Sequence, residues 1–200
     1  MRGFRILLWV LVAGAAAAFA YLSFGPARKS APDAQTSTMA LSNLGGPFTL
    51  VGSDGKPFSS TKLSGKPFVI FFGFTHCPDV CPTTLARLVK LRQQLNAGAT
   101  PFEIVFVTVD PERDGPAEVG NYAELFNSPI TGLTGSSTQI EQVKKQFGIF
   151  SKKVPEGSGG YTVDHTATAL LFDRNGKFVA TIAPEEQDGV ALAKLKRITA

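Results

Sequence analysis

The chain has two cysteines, and three residues separate them in Gly73-Phe74-Thr75-His76-Cys77-Pro78-Asp79-Val80-Cys81-Pro82. Ahead of them, Pro67-Phe68-Val69-Ile70-Phe71-Phe72 is continuously apolar and rich in β-branched and aromatic residues, the pattern of a strand buried on both faces. Behind them, Pro82 suits a first helical position and opens a run with Leu85, Val89, Leu91 and Leu95. Both thiols therefore fall where a buried strand ends and a helix begins, and N–H groups at a helix start favour the thiolate. A disulfide closing so short a loop adds little stability, because the chain-entropy gain grows with loop length. The pair reads as reactive or ligating rather than as a staple. Close sulfurs can interconvert between dithiol and disulfide. As thiolates they can also hold a soft metal, with an imidazole as third ligand. A two-sulfur, one-nitrogen set suits Cu(I), and it accepts Cu(II) when a weak fourth ligand or water joins. Zinc is the second candidate, but structural zinc takes four protein ligands and the chain has no third cysteine.

The elements that must position such a site follow in order. Phe48-Thr49-Leu50-Val51 and Pro57-Phe58 read as a β-hairpin turning at Asp54-Gly55. The buried strand and the cysteine helix come next, the helix ending near Asn96-Ala97-Gly98. Residues 102–109 form a second apolar strand, which stops at Asp110-Pro111-Glu112-Arg113-Asp114. Strand, helix, strand is the pattern of a βαβ unit with parallel strands. Residues 116–126 read as a helix and 130–134 as a short strand. Residues 138–147 read as an amphipathic helix with Ile140, Val143 and Phe147 on one side. The glycine-rich stretch 155–160 is a flexible loop leading to Tyr161-Thr162-Val163-Asp164-His165-Thr166. An antiparallel hairpin follows, 167–172 and 178–182, joined through Asn175-Gly176, and Asp188 is placed to cap a last helix. This is the order of an α/β, thioredoxin-like domain in its peroxiredoxin-like variant, with a β-hairpin in front. In such a fold the loop before the closing hairpin lies beside the cysteine turn, and His165 falls in that loop.

That placement selects between the two histidines. His76 adjoins Cys77, but neighbours at the end of a strand point apart, so a packing or electrostatic role suits it better. His165 taken alone is an ordinary loop histidine bonded to backbone; its place opposite the cysteines makes it the third ligand. Asp79, between the thiols, and Asp110, at the mouth of the second strand, are of the type that caps and forms turns. A carboxylate there could instead orient His165 or receive a proton as metal binds. Phe71, Phe72 and Phe74 read as core.

The formal charge of +4 belongs to one end of the chain. Arg2, Arg5, Arg28 and Lys29 are four of the 20 basic residues and no acid precedes Asp33, so residues 30–200 hold 16 of each sign. No basic patch argues for nucleic acid. Residues 6–24 are apolar or small with Arg2 and Arg5 before them, long enough to span a bilayer core, which needs about 20 residues. The flanking arginines favour a cytoplasmic N-terminus, placing the rest outside the cytoplasm. A cleaved signal peptide ending at Ala18-Phe19-Ala20 is the competing reading, but the apolar run continues through Tyr21, Leu22 and Phe24. The expected organisation is a membrane anchor over 1–25, a flexible linker over 26–43, and a thioredoxin-like domain over 44–200.

Three motifs carry a resemblance to a known family: Gly73-Phe74-Thr75-His76-Cys77-Pro78-Asp79-Val80-Cys81-Pro82, Val107-Thr108-Val109-Asp110-Pro111-Glu112-Arg113-Asp114 and Val163-Asp164-His165-Thr166. From about residue 42 to the end, and in its N-terminal anchor, the chain resembles the Sco/SenC family, copper proteins that help assemble cytochrome c oxidase. The resemblance implies one copper held by Cys77, Cys81 and His165, received from an upstream copper donor. It implies delivery to the dinuclear copper centre of the oxidase subunit II, or reduction of that subunit's cysteines before metal arrives. It also implies a membrane-anchored domain in the bacterial periplasm or the mitochondrial intermembrane space. The alternative function is a thiol–disulfide reductase using Cys77 and Cys81 as its redox pair. Peroxiredoxins place a threonine three residues before the attacking cysteine; here those positions are Phe74 and Pro78. Thioredoxin-type reductases have two residues between their cysteines and a cis-proline before the hairpin. This chain has three residues and Asp164-His165, which favours metal over purely redox work.

Overall fold

The buried strand proposed from its composition is an interior strand of a seven-stranded sheet, paired on both sides. The computed structural model describes residues 44–95, 100–157 and 159–200, with isolated positions between Gly3 and Tyr21. The chain divides into two units, Met1–Met39 and Ala40–Ala200, and the sheet belongs to the second. Apart from those isolated positions, the expected anchor and the linker over 26–43 lie outside the described residues. Among the described residues no helix is long and apolar enough to cross a membrane.

In chain order the strands are β1 (Thr49–Gly52), β2 (Pro57–Ser59), β3 (Phe68–Gly73), β4 (Glu103–Thr108), β5 (Thr131–Thr134), β6 (Ser151–Pro155), β7 (Tyr161–His165), β8 (Ala169–Phe172) and β9 (Phe178–Ile182). The helices are α1 (Val80–Gln94), α2 (Pro116–Glu124), α3 (Ser137–Gln146) and α4 (Asp188–Thr199). The main sheet runs β2-β1-β5-β4-β3-β8-β9, and β6 and β7 form a separate antiparallel pair. β3, β4 and β5 are parallel to one another, and β8 and β1 run antiparallel to their neighbours β3 and β5. A parallel strand inside such a sheet is covered on both faces, and all six residues of β3 are buried.

Alternation along β3 sorts the core into two layers. On one face Phe68 stacks on Phe172 at 4.7 Å between centroids, and Phe72 meets Phe147 at 5.6 Å. On the other face Phe71 lies beside its register partner Phe106, whose ring meets Tyr122 of α2 at 5.2 Å. α2 approaches β5 closely: a Cβ on Gly132 would stand 2.6 Å from the carbonyl oxygen of Val119. Asp188 is the first residue of α4 and makes no cap. Its carboxylate instead accepts from Arg87 at 2.8 Å and Lys90 at 3.2 Å, tying α4 to α1.

Two local expectations change. α1 starts at Val80 with Asp79 at the N-cap, two residues before Pro82; a proline in the first turn removes no intrahelical hydrogen bond, so the helix can begin ahead of it. The stretch before the closing hairpin is not a loop carrying His165. Residues 151–155 and 161–165 pair as β6 and β7, and His165 ends β7, opposite Ser151.

Candidate metal centre

Gly73 ends β3 where the sheet meets α1, and its missing side chain matters. A Cβ there would stand 2.6 Å from Cys81 Sγ and 3.1 Å from the rings of Phe71 and Phe106. The sulfur of Cys81 therefore lies directly on the strand end, fully buried. Cys77 is half-buried in the turn before α1, its N–H donating to the carbonyl of Phe74 at 3.2 Å. The Cys81 N–H in turn points at Cys77 Sγ at 3.4 Å. Both cysteines are free thiols.

His165 comes in from the end of β7. Its Nε2 lies 3.4 Å from Cys81 Sγ, and its Nδ1 lies 3.0 Å from the carbonyl oxygen of Thr166. A carbonyl can only accept, so Nδ1 carries the proton and Nε2 turns its lone pair toward the sulfurs. The ring is set edge-on against Phe71 at 6.1 Å and Phe74 at 5.7 Å. One donor atom each from Cys77, Cys81 and His165 lies within 4.8 Å of the others. Metal–donor bonds of about 2.0–2.3 Å put donor atoms roughly 3.5–4.6 Å apart, so this spacing fits one ion with little closure.

The electrostatics qualify the expectation drawn from the helix start. Burial pushes the Cys81 thiol well above its ordinary value, and the neighbouring Cys77 and Asp114 push the same way against a backbone hydrogen bond from Phe74. For this sulfur desolvation outweighs the helix terminus. Burial also lowers His165 below the ordinary imidazole value, opposed by its bond to Thr166 and by Asp164. The metal-free site is thus a neutral thiol beside a neutral imidazole.

The carboxylates divide differently from the sequence reading. Asp79 accepts from the Thr83 hydroxyl at 3.2 Å, a helix-start contact. Asp110 makes no direct contact with His165: its buried carboxylate accepts from Arg113 Nε and from the Tyr161 hydroxyl at 2.9 Å. Asp114, to which the sequence reading assigned no role, is the residue that holds the cysteine turn. Fully buried, it accepts from the Thr75 N–H at 2.9 Å and from the hydroxyls of Thr75 and Thr108 at 2.6 Å each. Its main-chain carbonyl takes the Thr134 hydroxyl at 2.6 Å, linking β5 to the same point. His76 is half-exposed, with Nδ1 3.6 Å from Asp114, and stands outside the donor cluster. Only the acid-rich stretch after β4 hinted at Asp114.

A thioredoxin-like sheet with an interior strand that ends under two thiols and an imidazole defines a class of protein: a thioredoxin-fold domain with a thiol–imidazole site. The relatives narrow the class. Residues 36–200 match the SCO1/SenC family, and the chain belongs to that family. It is 33% identical over 176 residues to a SCO2-like protein of Rickettsia prowazekii, covering 87% of this chain and 86% of the relative. Among solved structures it is similar to Bradyrhizobium japonicum ScoI with copper bound, with a TM-score of 0.70 and 42% identity over 78% of this chain and 99% of that one. It is also similar to BsSco, described as a member of the Sco family of cytochrome c oxidase assembly proteins with a disulfide switch. That likeness has a TM-score of 0.59 and 28% identity, covering 77% of this chain and 92% of the other.

Proposed function

We propose that the protein is a copper chaperone in which Cys77, Cys81 and His165 take up one Cu(I) as cargo and pass it on during cytochrome c oxidase assembly. The observation that carries this is the convergence of those three donor atoms within 4.8 Å in a chain of the SCO1/SenC family. Loading exchanges the two thiol protons for one cuprous ion, leaving two thiolates and the Nε2 lone pair as donors, with the released protons passing to solvent. The burial that keeps Cys81 protonated without metal makes this exchange pH-dependent. Release follows stepwise replacement of these donors by the cysteines of a recipient, so that the ion is never free. The recipient is the dinuclear copper centre of subunit II, and the cargo comes from an upstream copper donor. Residues 1–25 anchor the protein in a membrane, 26–43 form the tether, and 44–200 work on the extracytoplasmic side.

The test is an anaerobic Cu(I) competition titration of the reduced protein beside its His165→Ala variant. One tightly bound copper, weakened by the substitution, is expected; unchanged affinity in the variant would remove His165 from the site.

A second reading, thiol–disulfide reduction, is favoured by one contact. Cys77 and Cys81 are free and adjoin through the Cys81 N–H to Cys77 Sγ approach. Oxidation of the pair would consume both sulfur donors, so the disulfide form should bind no copper. A copper titration of the oxidised protein checks this, and binding there would separate the metal site from the thiols.

A further inference from the structure

Tyr161 and His165 are the first and last residues of β7, and with Val163 they share one face of the strand, since side chains two apart point the same way. Val163 is buried, and His165 reaches Cys81. At the other end Tyr161 is gripped by the turn that follows β4. Its hydroxyl donates to Asp110 Oδ1 at 2.9 Å, and its carbonyl accepts from Arg113 Nη1 at 2.9 Å. Its ring centroid lies 3.8 Å from the Arg113 guanidinium carbon and 4.7 Å from the Lys153 ammonium. Arg113 also lies 5.8 Å from the ring of Phe74, the same ring that meets His165 edge-on. Asp110 is wholly buried, and a buried carboxylate is costly unless its oxygens are hydrogen-bonded. The phenol therefore docks on a group that needs it.

We infer that Tyr161 is a positioning residue for His165: by seating its hydroxyl on Asp110 and its carbonyl on Arg113, it fixes where β7 delivers the imidazole. The assignment rests on His165 being a copper ligand and adds a residue that touches neither the metal nor the thiols. Loss of an outer contact that orients a metal ligand weakens metal binding by about 10- to 100-fold. Tyr161→Phe retains the ring and its cation contacts, so its effect sits at the lower end, about tenfold.

The experiment is a double-mutant cycle on Cu(I) affinity, using competition titrations of the reduced full chain. It compares the unaltered protein, Tyr161→Phe, His165→Ala and the pair. A residue acting through His165 loses its effect once the imidazole is gone, whereas a merely structural residue subtracts the same factor in both backgrounds. The expected result is a loss of about tenfold for Tyr161→Phe alone and less than about twofold in the His165→Ala background. Equal losses in both backgrounds, or no loss in the single variant, would overturn the assignment. Should His165→Ala itself leave the affinity unchanged, the ligand set fails and the assignment falls with it, a result distinct from the other two. Arg113→Lys keeps a cation beside Asp110 but loses the fork that reaches the Tyr161 carbonyl. It is the second variant, expected to show the same dependence on His165.

Discussion

The sulfurs and the imidazole of the site are held by two regions of unlike construction. The cysteine turn grows out of the longest fully buried strand of the sheet, rests on Gly73, and is tied down by Asp114, wholly buried and accepting three hydrogen bonds. The β6–β7 pair stands apart from the main sheet, and Val163 is the one buried residue among its ten. Beyond Val163 in the core, the pair is held by polar and cation–π contacts: Tyr161 on Asp110, Arg113 on Tyr161, Lys153 on Glu112. The sulfurs are thus placed by the sheet core and a buried carboxylate, the nitrogen by a pair of strands with little buried surface of its own. Damage to the first region should appear in the stability of the whole domain. Damage to the second should appear mainly in the affinity for metal.

Asp114→Ala tests the first half of that contrast most severely. It leaves the Thr75 N–H and the Thr75 and Thr108 hydroxyls without their acceptor, and stability should fall by about 3 kcal/mol in denaturant unfolding. A loss below about 1 kcal/mol would mean that the turn is held by something else. Gly73→Ala comes next, since its Cβ meets Cys81 Sγ at 2.6 Å. Overpacking of this kind costs about 1–3 kcal/mol and should move Cys81 enough to impair Cu(I) uptake in a competition titration. An unaltered affinity would show that the sulfur has room to shift.

The third prediction concerns pH. Cys81 is raised in the fold above the ordinary thiol value of 9.0, so its contribution is present below pH 9 and is lost as pH rises beyond it. The slope is at most about 1.4 kcal/mol per pH unit for one proton. His165 is lowered below 6.5, so its contribution is present above that pH and is lost as pH falls through the window beneath it. Metal-free stability, followed by denaturation across pH, should therefore be highest between these limits, and bound copper should abolish the alkaline loss. The smallest effect is expected from Lys153→Ala. Its pair with Glu112 is 42% and 63% exposed, and after discounting for solvent the change in stability should be below about 0.5 kcal/mol. A larger loss would show that the β6–β7 pair leans on this contact more than its exposure suggests.

Much of the fold was legible because the determinants are local. The apolar run of β3, the Asp54-Gly55 turn of the first hairpin and the Asn175-Gly176 turn of the last each sit within a few residues of what they specify. The meeting of Cys77, Cys81 and His165 was anticipated from the order of elements, although His165 arrives on a strand and not in a loop. The β6–β7 pair escaped notice because Ser151-Lys152-Lys153-Val154-Pro155 has no alternating apolar pattern and pairs only with its neighbour. Asp114 escaped because its partner Thr75 is 39 residues away in the chain. Burial of Cys81 is likewise a property of the assembled sheet, and it reverses what a helix start alone suggests.

The turn after β4 closes on itself, with the N–H groups of Arg113 and Asp114 both donating to the carbonyl of Asp110. One end of this turn grips Tyr161 and the other grips Thr75, so five consecutive residues set the span between imidazole and sulfurs. In the terms of chain evolution, this turn behaves as a gauge block. Residues can be gained or lost at the exposed tip of the β6–β7 pair, around Glu156 and Gly160, without altering that span. A single residue inserted between Asp110 and Asp114 would shift one arm of the site against the other. Insertions are thus expected to be tolerated at the tip and to open the site when placed within the turn.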